Sequence, residues 1–303
     1  MVIIALLQLA LGLAAAPLLL GVINRTKAFF AGRQGPPLWQ PYHDLRKLLG
    51  KGTTYSGTTT VIFRAGPVVG LAAVTAAAAL LPMAGQVALV AFPGDLLLLV
   101  YLLGLARFAT VLAALDTGSA FEGMGASREV TFAALAEPAL LLGLTAVCRL
   151  AGTCSLSQVM PALTAATWLA HGPALALVLS ALFVVLLAEN SRIPFDDPNT
   201  HLELTMIHEV MVLDHGGPDL ALILYGAALK LWLLAALLVG LALPLAHLAW
   251  PVALLGFFAA MLAVAVLVGI VESAMARLRL VRVPQLLVGA GALTVISLAL
   301  VLR

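Results

Sequence analysis

Charge is scarce in this chain. Only 10% of its 303 residues are charged, whereas a soluble domain carries about 25%. Hydrophobic residues make up 63% of the chain, and the mean hydropathy is +1.11. Long runs with few or no charges recur, and each is about long enough to cross a bilayer. The scarcity of charge excludes an ordinary soluble enzyme and predicts a polytopic membrane protein.

Cysteine is scarce as well. Cys148 and Cys154 are the only two in the sequence, so the chain lacks the thiolate clusters that bind iron–sulfur centres or structural zinc. We interpret both cysteines as small packing residues. If the protein takes part in redox chemistry, its metal centres are expected on partner chains.

The apolar runs predict an all-α integral membrane protein with about eight transmembrane helices. We treat residues 1–303 as a single polytopic membrane domain, because no soluble domain, linker or internal repeat is visible. The missing repeat disfavours the secondary transporters built from duplicated halves. The first run has no basic leader and is interpreted as a retained helix. The predicted spans are residues 2–22, 66–91, 95–115, 129–149, 170–189, 218–243, 249–271 and 284–302.

Basic residues fall almost entirely in the loops after odd-numbered spans. Those loops hold twelve Lys and Arg residues, whereas the opposite side holds only Arg149 and Arg303. Because basic loops stay in the cytoplasm, this bias predicts that the odd-numbered loops are cytoplasmic and both termini are outside. Most acidic residues lie in or beside the same loops, so contacts with other proteins are expected from the cytoplasm.

The first cytoplasmic loop contains "LWQPYHDLRKLLG", which follows a Gly-Pro-Pro break. Its alternation of apolar and polar residues is typical of an amphipathic helix lying in the membrane interface. Two interpretations are open: a surface helix that anchors the loop, or one wall of a binding chamber. The second loop, "LDTGSAFEGMGASRE", has glycines without the spacing of a phosphate-binding fingerprint.

The third loop, "AENSRIPFDDPNTHLELTMIHEVMVLDHGG", gathers six carboxylates and three histidines. Asp197 and Pro198 form a typical helix start and predict a helix over 199–213. In that helix Glu203 shares a face with apolar residues, so it is expected either to be paired or to exchange protons near neutral pH. A metal site built from the three histidines is disfavoured.

Three charged residues fall inside predicted spans. Arg107 and Glu137 each lie eight residues from the cytoplasmic end of adjacent spans, which places both about 12 Å deep. Lys230 lies about 18 Å along its span. Unpaired charges at such depths are unfavourable, so we expect an ion pair or a hydrated path. Pro138 frees a backbone carbonyl beside Glu137, where a water chain could enter; a static ion pair is the alternative.

Four segments resemble a known family. They are "RQGPPLWQPYHDLRKLLGK", "ALDTGSAFEGMGASREVTFAALAEPALLLGL", "AENSRIPFDDP" and "VESAMARLRL". They resemble the membrane subunit 1 of complex I, and more closely its homologues in energy-converting [NiFe]-hydrogenases, of the formate hydrogenlyase subunit 4 and hydrogenase-4 component C type. The resemblance covers nearly the whole chain in order.

This resemblance implies a connector in the prokaryotic cytoplasmic (inner) membrane, which docks an iron–sulfur arm and couples its redox reaction to proton or sodium translocation. It implies hydrogenase-type large and small subunits, iron–sulfur subunits and antiporter-like membrane subunits as partners, besides the lipid bilayer; nucleic acid is not expected. The chain itself would bind no cofactor, since iron–sulfur clusters, and nickel–iron in the hydrogenases, belong to partner subunits.

We predict two sets of functional residues and no catalytic or metal-binding residue. The proton-path candidates are Arg107, Glu129, Glu137, Glu189, Glu203 and Lys230. The candidates for arm docking or for a chamber are Arg33, Asp44, Arg46, Asp116, Glu122, Arg128, Arg192, Asp196, Asp197, Glu209 and Arg277.

The third loop also departs from the complex I pattern. Asn199 and His201 stand at positions that are usually acidic in complex I, and only Glu203 remains. That change favours a hydrogenase-like or hydrogenase-related complex over a quinone site. A quinone-site subunit of a respiratory NADH dehydrogenase-like complex is the alternative. A free-standing transporter and a passive anchor are disfavoured by the one-sided polarity and by the intramembrane charges, respectively.

Overall fold

A computed structural model describes residues 2–196 and 206–303. The described ranges contain eleven α-helices and two short 3-10 turns, with no strand among them. The helices are α1 (Val2–Phe30), α2 (Gln40–Leu49), α3 (Val61–Ala79), α4 (Asp95–Asp116), α5 (Ala120–Ala151), α6 (Leu156–Ala162), α7 (Ala165–Glu189), α8 (His208–Met211), α9 (Gly217–Ala242), α10 (Trp250–Ala274) and α11 (Val283–Val301). The 3-10 turns are Leu245–His247 and Leu280–Arg282.

Eight segments are long and apolar enough to cross a membrane: α1, α3, α4, α5, α7, α9, α10 and the segment Leu280–Val301, which includes α11. The predicted all-α, eight-helix membrane protein is confirmed. Helix α2 is the predicted amphipathic helix of the first loop, and none of its residues is buried. We call the side of the bundle that carries α2 and α8 the loop face.

The second span is shorter than predicted. Helix α3 begins at Val61 and ends at Ala79, whereas the apolar pattern predicted a helix over 66–91. Leu80 and Leu81 are buried although they lie beyond the helix. Gly85 has a φ of +73°, a left-handed conformation that does not continue a helix. The apolar residues that follow α3 therefore pack as irregular chain on the side of the bundle opposite the loop face.

Helix α5 is longer than predicted. It begins at Ala120 rather than at residue 129, so most of the second loop is helical. Glu122 and Glu129 are buried in this helix. The apolar pattern placed Glu122 in the second loop and Glu129 at the first residue of the span, but the environment of both acids is protein rather than water.

The prediction of a helix over 199–213 is wrong for residues 206–213, which are the part of that range that the structure describes. Only α8, a single turn, is helical there. The buried carboxylate of Asp196 accepts the N–H groups of Ile207 at 3.0 Å and His208 at 3.2 Å, which fixes the start of this turn. The predicted Asp197 cap, the Glu203 face and His201 lie outside the described residues.

Helix α9 lies at the centre of the bundle. It packs against α1, α3, α7 and α10, while α3 pairs with α4 and α11 packs against α5 and α7. Small residues permit these close approaches. At Gly66 of α3, for example, a Cβ atom would lie 2.8 Å from the Cβ of Ala113 on α4. The close packing of these helices brings charged side chains from α4, α5, α7 and α9 into contact.

Candidate functional site: a charged network inside the helix bundle

Arg107 on α4 is the hub of a charged network. Its guanidinium contacts the carboxylates of Glu129 and Glu137 on α5 and of Glu189 on α7, with an Nε–Oε1 distance of 3.5 Å to Glu129. On the other side of Glu189, Nζ of Lys230 on α9 lies 2.8 Å from Oε2. We call Arg107, Glu129, Glu137, Glu189 and Lys230 the intramembrane network. The predicted contact between Arg107 and Glu137 is therefore present.

The network is shielded on one side and open on the other. The side chains of Arg107 and Glu189 are only 8% and 4% exposed, whereas that of Glu137 is 39% exposed. Gly104 on α4 faces Glu137, and a Cβ atom there would lie 3.6 Å from its Oε1. The missing side chain at Gly104 leaves room beside the carboxylate. Glu137 is thus the edge of the network nearest the outside of the bundle.

The charges of the network do not cancel. Among residues 2–196 and 206–303, two cations face three carboxylates here, so full ionisation would leave one excess negative charge in a region where an uncompensated charge is unfavourable. One proton bound among the three carboxylates would neutralise the network. Such a group of acids can bind one proton and pass it between its members, and the network stays neutral while the proton moves.

The local sequence explains how two acids of α5 reach one arginine. Glu129 and Glu137 are eight residues apart, which is a little more than two helical turns and places them on roughly the same side of α5. Pro138 lies inside the helix directly after Glu137 and cannot donate a backbone hydrogen bond. Glu189 is the last residue of α7, and Asn190 forms its C-cap. The network therefore reaches the end of a helix on the loop face.

A small cavity of about 80 Å³ adjoins the network. Four network members line it, namely Arg107, Glu129, Glu189 and Lys230, together with polar residues of the third loop. A cavity of this size has room for several water molecules, and the four charged side chains in its largely apolar lining offer them hydrogen-bond partners. Water there would connect the buried carboxylates with the third loop.

A larger cavity of about 510 Å³ lies toward the loop face. It is bounded by α1, α2, α9 and the third loop, and its polar lining includes Asp44, Arg192, Asp196 and Glu209. Leucines from α1, α2, the third loop and α9 supply much of the apolar lining. The two cavities share lining residues, namely Asn190, Ser191, His208, Ile223 and Ala227. The shared residues form a thin wall between the larger cavity and the network.

His208 is the titratable group in that wall. Burial, and then the positive charge of Lys230, lower the pKa of His208 to about 4, although Asp196 acts in the opposite direction. His208 is therefore neutral at pH 7. His215, which also lines the larger cavity, stacks on Phe63 with 3.9 Å between ring centroids. Burial lowers the pKa of His215 as well.

A second set of ion pairs holds the third loop to the bundle. Glu272 on α10 lies 2.8 Å from Nζ of Lys27 on α1 and 3.3 Å from Nη1 of Arg192. Nη2 of Arg277 lies 2.8 Å from Oδ1 of Asp196. These pairs connect α1, the end of α10 and the third loop, so they fix one wall of the larger cavity.

Some of the predicted docking residues are exposed, and others are bonded within the chain. Arg33, Asp44 and Arg46 are exposed on the first loop. Most of the others bind within the chain: Asp116 caps α3 by accepting the Thr60 and Phe63 N–H groups, and Arg128 donates to the Met206 carbonyl at 2.9 Å.

Several further docking candidates are internal as well. Glu122 accepts the Asp214 N–H at 3.3 Å, and Arg192, Asp196 and Arg277 form the ion pairs described above. Glu209 is half-buried against the larger cavity. Asp197 and Glu203 lie outside the described residues. The exposed charges of the first loop are thus the best placed of the predicted set to meet another protein.

Sequence reasoning missed two features of the site. It did not predict that Glu189 joins Arg107 to Lys230, because no pattern within one helix shows which helices become neighbours. It also gave no role to Glu272, whose position at the end of a long apolar run was the available signal.

In residues 2–196 and 206–303, no cluster of three or more His, Cys, Asp or Glu residues could hold a metal ion.

The chain is similar to known membrane subunits. It is 35% identical to hydrogenase-4 component C of Escherichia coli (strain K12) over 244 residues, which is 80% of this chain and 76% of that protein. It is 33% identical to formate hydrogenlyase subunit 4 of the same organism over 288 residues, which is 93% of this chain and 92% of the relative. It is 30% identical to NADH-ubiquinone oxidoreductase chain 1 of Triticum aestivum over 207 residues, 64% of this chain and 63% of that protein.

A solved structure has the same fold. One chain of the membrane-bound sulfane sulfur reductase, an archaeal respiratory membrane complex, superposes with a TM-score of 0.83 at 22% identity, covering 98% of each chain. The NADH dehydrogenase family matches residues 2–302. The resemblance predicted from the four sequence segments is confirmed. By a family match over nearly its entire length, this chain belongs to the NADH dehydrogenase family.

Proposed function

We propose that this chain is the membrane connector subunit of a complex I-like, ion-translocating hydrogenase or hydrogenase-related complex. The intramembrane network is the observation that carries the proposal. Four helices contribute to it, and it holds three carboxylates against two cations. A purely structural ion pair needs neither the excess carboxylate nor the adjoining cavity. The names of the two bacterial relatives support a hydrogenase-type assembly.

The two cavities support a route for protons. A proton would enter from the larger cavity, pass the wall at His208 and Asn190, and reach Glu189 and Glu129 through the small cavity. Arg107 contacts both of these acids and Glu137, so the proton would next reach Glu137. Arg107 would hold the three acids together, and Lys230 would hold Glu189 from its other side.

The exposed edge of the network indicates where the route continues. Glu137 is 39% exposed on the outside of a membrane-spanning bundle, where lipid is an unfavourable neighbour for a carboxylate. We place an antiporter-like membrane subunit against this edge of α4 and α5. Ion movement, as protons or sodium, would then take place in that partner rather than through this chain alone.

We place the redox arm on the loop face. Helix α2 carries Arg46 and Lys47 and buries none of its residues, and Trp39 beside it is 59% exposed. This surface suits a partner that is partly apolar and partly acidic. The bias of basic residues toward the loop face supports a protein of the prokaryotic inner membrane whose loop face lies in the cytoplasm. Both termini would then lie outside. The arm would hold the iron–sulfur clusters and, in a hydrogenase, the nickel–iron centre.

A second function is supported by the larger cavity. At about 510 Å³, with an apolar lining and a few polar groups, it has the size and character of a site for an organic ligand. A quinone-site subunit of a respiratory dehydrogenase would use this chamber between the first and third loops. Binding of a photoreactive quinone analogue to the assembled complex, crosslinked at α2 or the third loop, would support this second function over the first.

The proposal is tested with the assembled complex in sealed vesicles. We expect Glu137→Gln to leave partial electron transfer with artificial donors and acceptors intact and to abolish the ion gradient. Asp219→Asn is the matched control, since this carboxylate lies outside the network and accepts the hydroxyl of Tyr55 on the loop face. Gradient formation at the wild-type level in an intact Glu137→Gln complex would reduce the network to a structural strut.

A further inference from the structure

Two exposed arginines lie at the loop-face end of the last transmembrane segment. Arg279 and Arg282 belong to the connection between α10 and α11, and both are exposed. The Arg282 N–H donates to the Arg279 carbonyl at 2.8 Å, so a tight turn keeps the two residues close together. Just before this turn, the Leu278 N–H donates to the Pro194 carbonyl at 3.0 Å, which ties the connection to the third loop. The two arginines are thus carried on a fixed turn.

These arginines differ from the arginine that precedes them. The Arg277 guanidinium is paired with the buried carboxylate of Asp196. Within residues 2–196 and 206–303, by contrast, neither Arg279 nor Arg282 forms an ion pair. Two such positive charges at one point of the surface are complementary to an anionic group.

The same turn exposes a large apolar side chain between the arginines. Val281 is 81% exposed, which is unfavourable against water but not against hydrocarbon. Val288 and Val295 follow on α11 at seven-residue spacing, and both are more than half exposed. Because seven residues make nearly two helical turns, the three valines form one stripe along the segment. We call Val281, Val288 and Val295 the valine stripe, which runs from the arginines into the membrane.

The other side of α11 is packed within the bundle. Val283, Leu287 and Ala290 are buried, and the buried Ser297 donates its hydroxyl to the Ala174 carbonyl on α7 at 2.8 Å. The helix packs against α5 and α7. In the part of the chain that the structure describes, the valine stripe is therefore the side of α11 that faces the surroundings of the protein.

We propose that Arg279 and Arg282 bind the phosphate of an anionic phospholipid in the loop-face leaflet, with its acyl chains along the valine stripe. Such a lipid has a negative headgroup at the level of the connecting turn and hydrocarbon beneath it. At 1.5 Å per residue, Val288 lies about 10 Å below the turn, within one leaflet of hydrocarbon about 15 Å thick. Arginine N–H groups bind phosphate oxygens by charge-assisted hydrogen bonds. An acidic protein surface would suit the arginines but would not account for apolar residues that continue into the membrane.

Photolabelling in vesicles tests the site. The assembled complex is reconstituted in phosphatidylcholine vesicles with a trace of photoreactive phosphatidylglycerol, or of phosphatidylcholine with the same diazirine-bearing acyl chain, and labelled residues are located by mass spectrometry. Each arginine near an anionic headgroup gives about a fivefold gain in binding, so we expect phosphatidylglycerol to label α11 about 30-fold more than phosphatidylcholine does. Arg279→Gln with Arg282→Gln should bring this ratio close to one. Arg279→Lys with Arg282→Lys, which keeps both charges, should retain most of it.

A charge-matched control and two contrary outcomes complete the test. Lys51→Gln with Arg64→Gln removes two exposed charges from the first loop and α3, and should leave the wild-type ratio unchanged. Equal labelling of α11 by both lipids, unaltered in the glutamine variant, would show ordinary contact with the bilayer and overturn the site. Absence of α11 labelling by either lipid would show that another protein covers the valine stripe, and would overturn it too. The proposal is independent of the proton route, which the ion gradient tests separately.

Discussion

At the scale of single residues, Arg107 determines the character of the site. In the part of the chain that the structure describes, it is the one side chain that contacts all three carboxylates of the network, and Lys230 there pairs only with Glu189. The guanidinium provides several donors in a planar arrangement, so it can bind more than one carboxylate at a time. The three acids of the network therefore share one cationic partner on α4.

Arg107→Ala should be strongly destabilising. The change would leave Glu129, Glu137 and Glu189 with Lys230 as the one remaining cation of the network, and breaking a buried ion pair in this way costs about 3–5 kcal/mol. We expect reduced accumulation in the membrane and a lower unfolding temperature of the complex. Arg64→Ala is the control, because Arg64 is exposed on α3. Equal stability of the two variants would show that Arg107 does not hold the network.

His208 should make the protein sensitive to acid. Its pKa is about 4 in the folded protein and about 6.5 in an unfolded chain. Between these values the unfolded chain binds a proton that the folded protein excludes, so stability falls as the pH drops from about 6.5 to about 4. His208→Gln should reduce this loss. The measurement is the unfolding temperature of the purified complex against pH, and an unchanged slope in the variant would contradict the assignment.

At the scale of elements, the third loop is seated on α5. Gly125 lies under this loop: a Cβ atom there would overlap the Val210 side chain and lie 2.8 Å from the Ile207 carbonyl oxygen. Arg128, one turn later, donates to the Met206 carbonyl. The wall at His208 therefore depends on a glycine in a neighbouring helix.

Gly125→Ala should displace α8 and lower stability. The added methyl group meets backbone as well as side chain, so relief requires the third loop to move, and overpacking of this kind costs about 1–3 kcal/mol. Gly123→Ala is a matched control in the same helix, where the nearest atom lies at an ordinary 3.9 Å. The unfolding temperature of the two variants and protease cleavage of the third loop compare them directly. Similar behaviour of both variants would show that the contact is unimportant.

The elements that were predicted correctly are those that the hydropathy pattern alone determines. The apolar runs and the amphipathic pattern of α2 predicted the eight spans and the interfacial helix. The errors occurred where burial and membrane insertion differ: Leu80 and Leu81 are buried without being helical, and Glu122 is helical and buried despite its charge. Glu189 was a proton-path candidate, but its contact with Lys230 follows from helix packing, which one sequence does not specify.

At the scale of the whole molecule, the two faces of the bundle differ. The loop face carries α2, the larger cavity and most of the basic residues, and several apolar residues near α2 are exposed there. Phe29, Trp39 and Leu49 are 79%, 59% and 58% exposed. Lipid covers part of such a surface, and a docked protein is the proposed cover for the rest.

Deletion of the partner large subunit should therefore deplete this chain from membranes. An uncovered docking surface favours aggregation and degradation. Quantitative immunoblotting of membranes, with an unrelated membrane protein as reference, measures the effect. Normal accumulation of the isolated subunit, monodisperse in detergent, would count against a connector role.

The central claim is that the intramembrane network exchanges a proton when the complex turns over. The most direct measurement is infrared difference spectroscopy of the assembled complex, reduced and oxidised, in the region of the carboxylic acid C=O stretch. We predict a band that changes with redox state, shifts on ¹³C labelling of glutamate, and disappears in Glu137→Gln but persists in Asp219→Asn. A spectrum without a glutamate band in the active wild-type complex, or one identical in Glu137→Gln, would contradict the account.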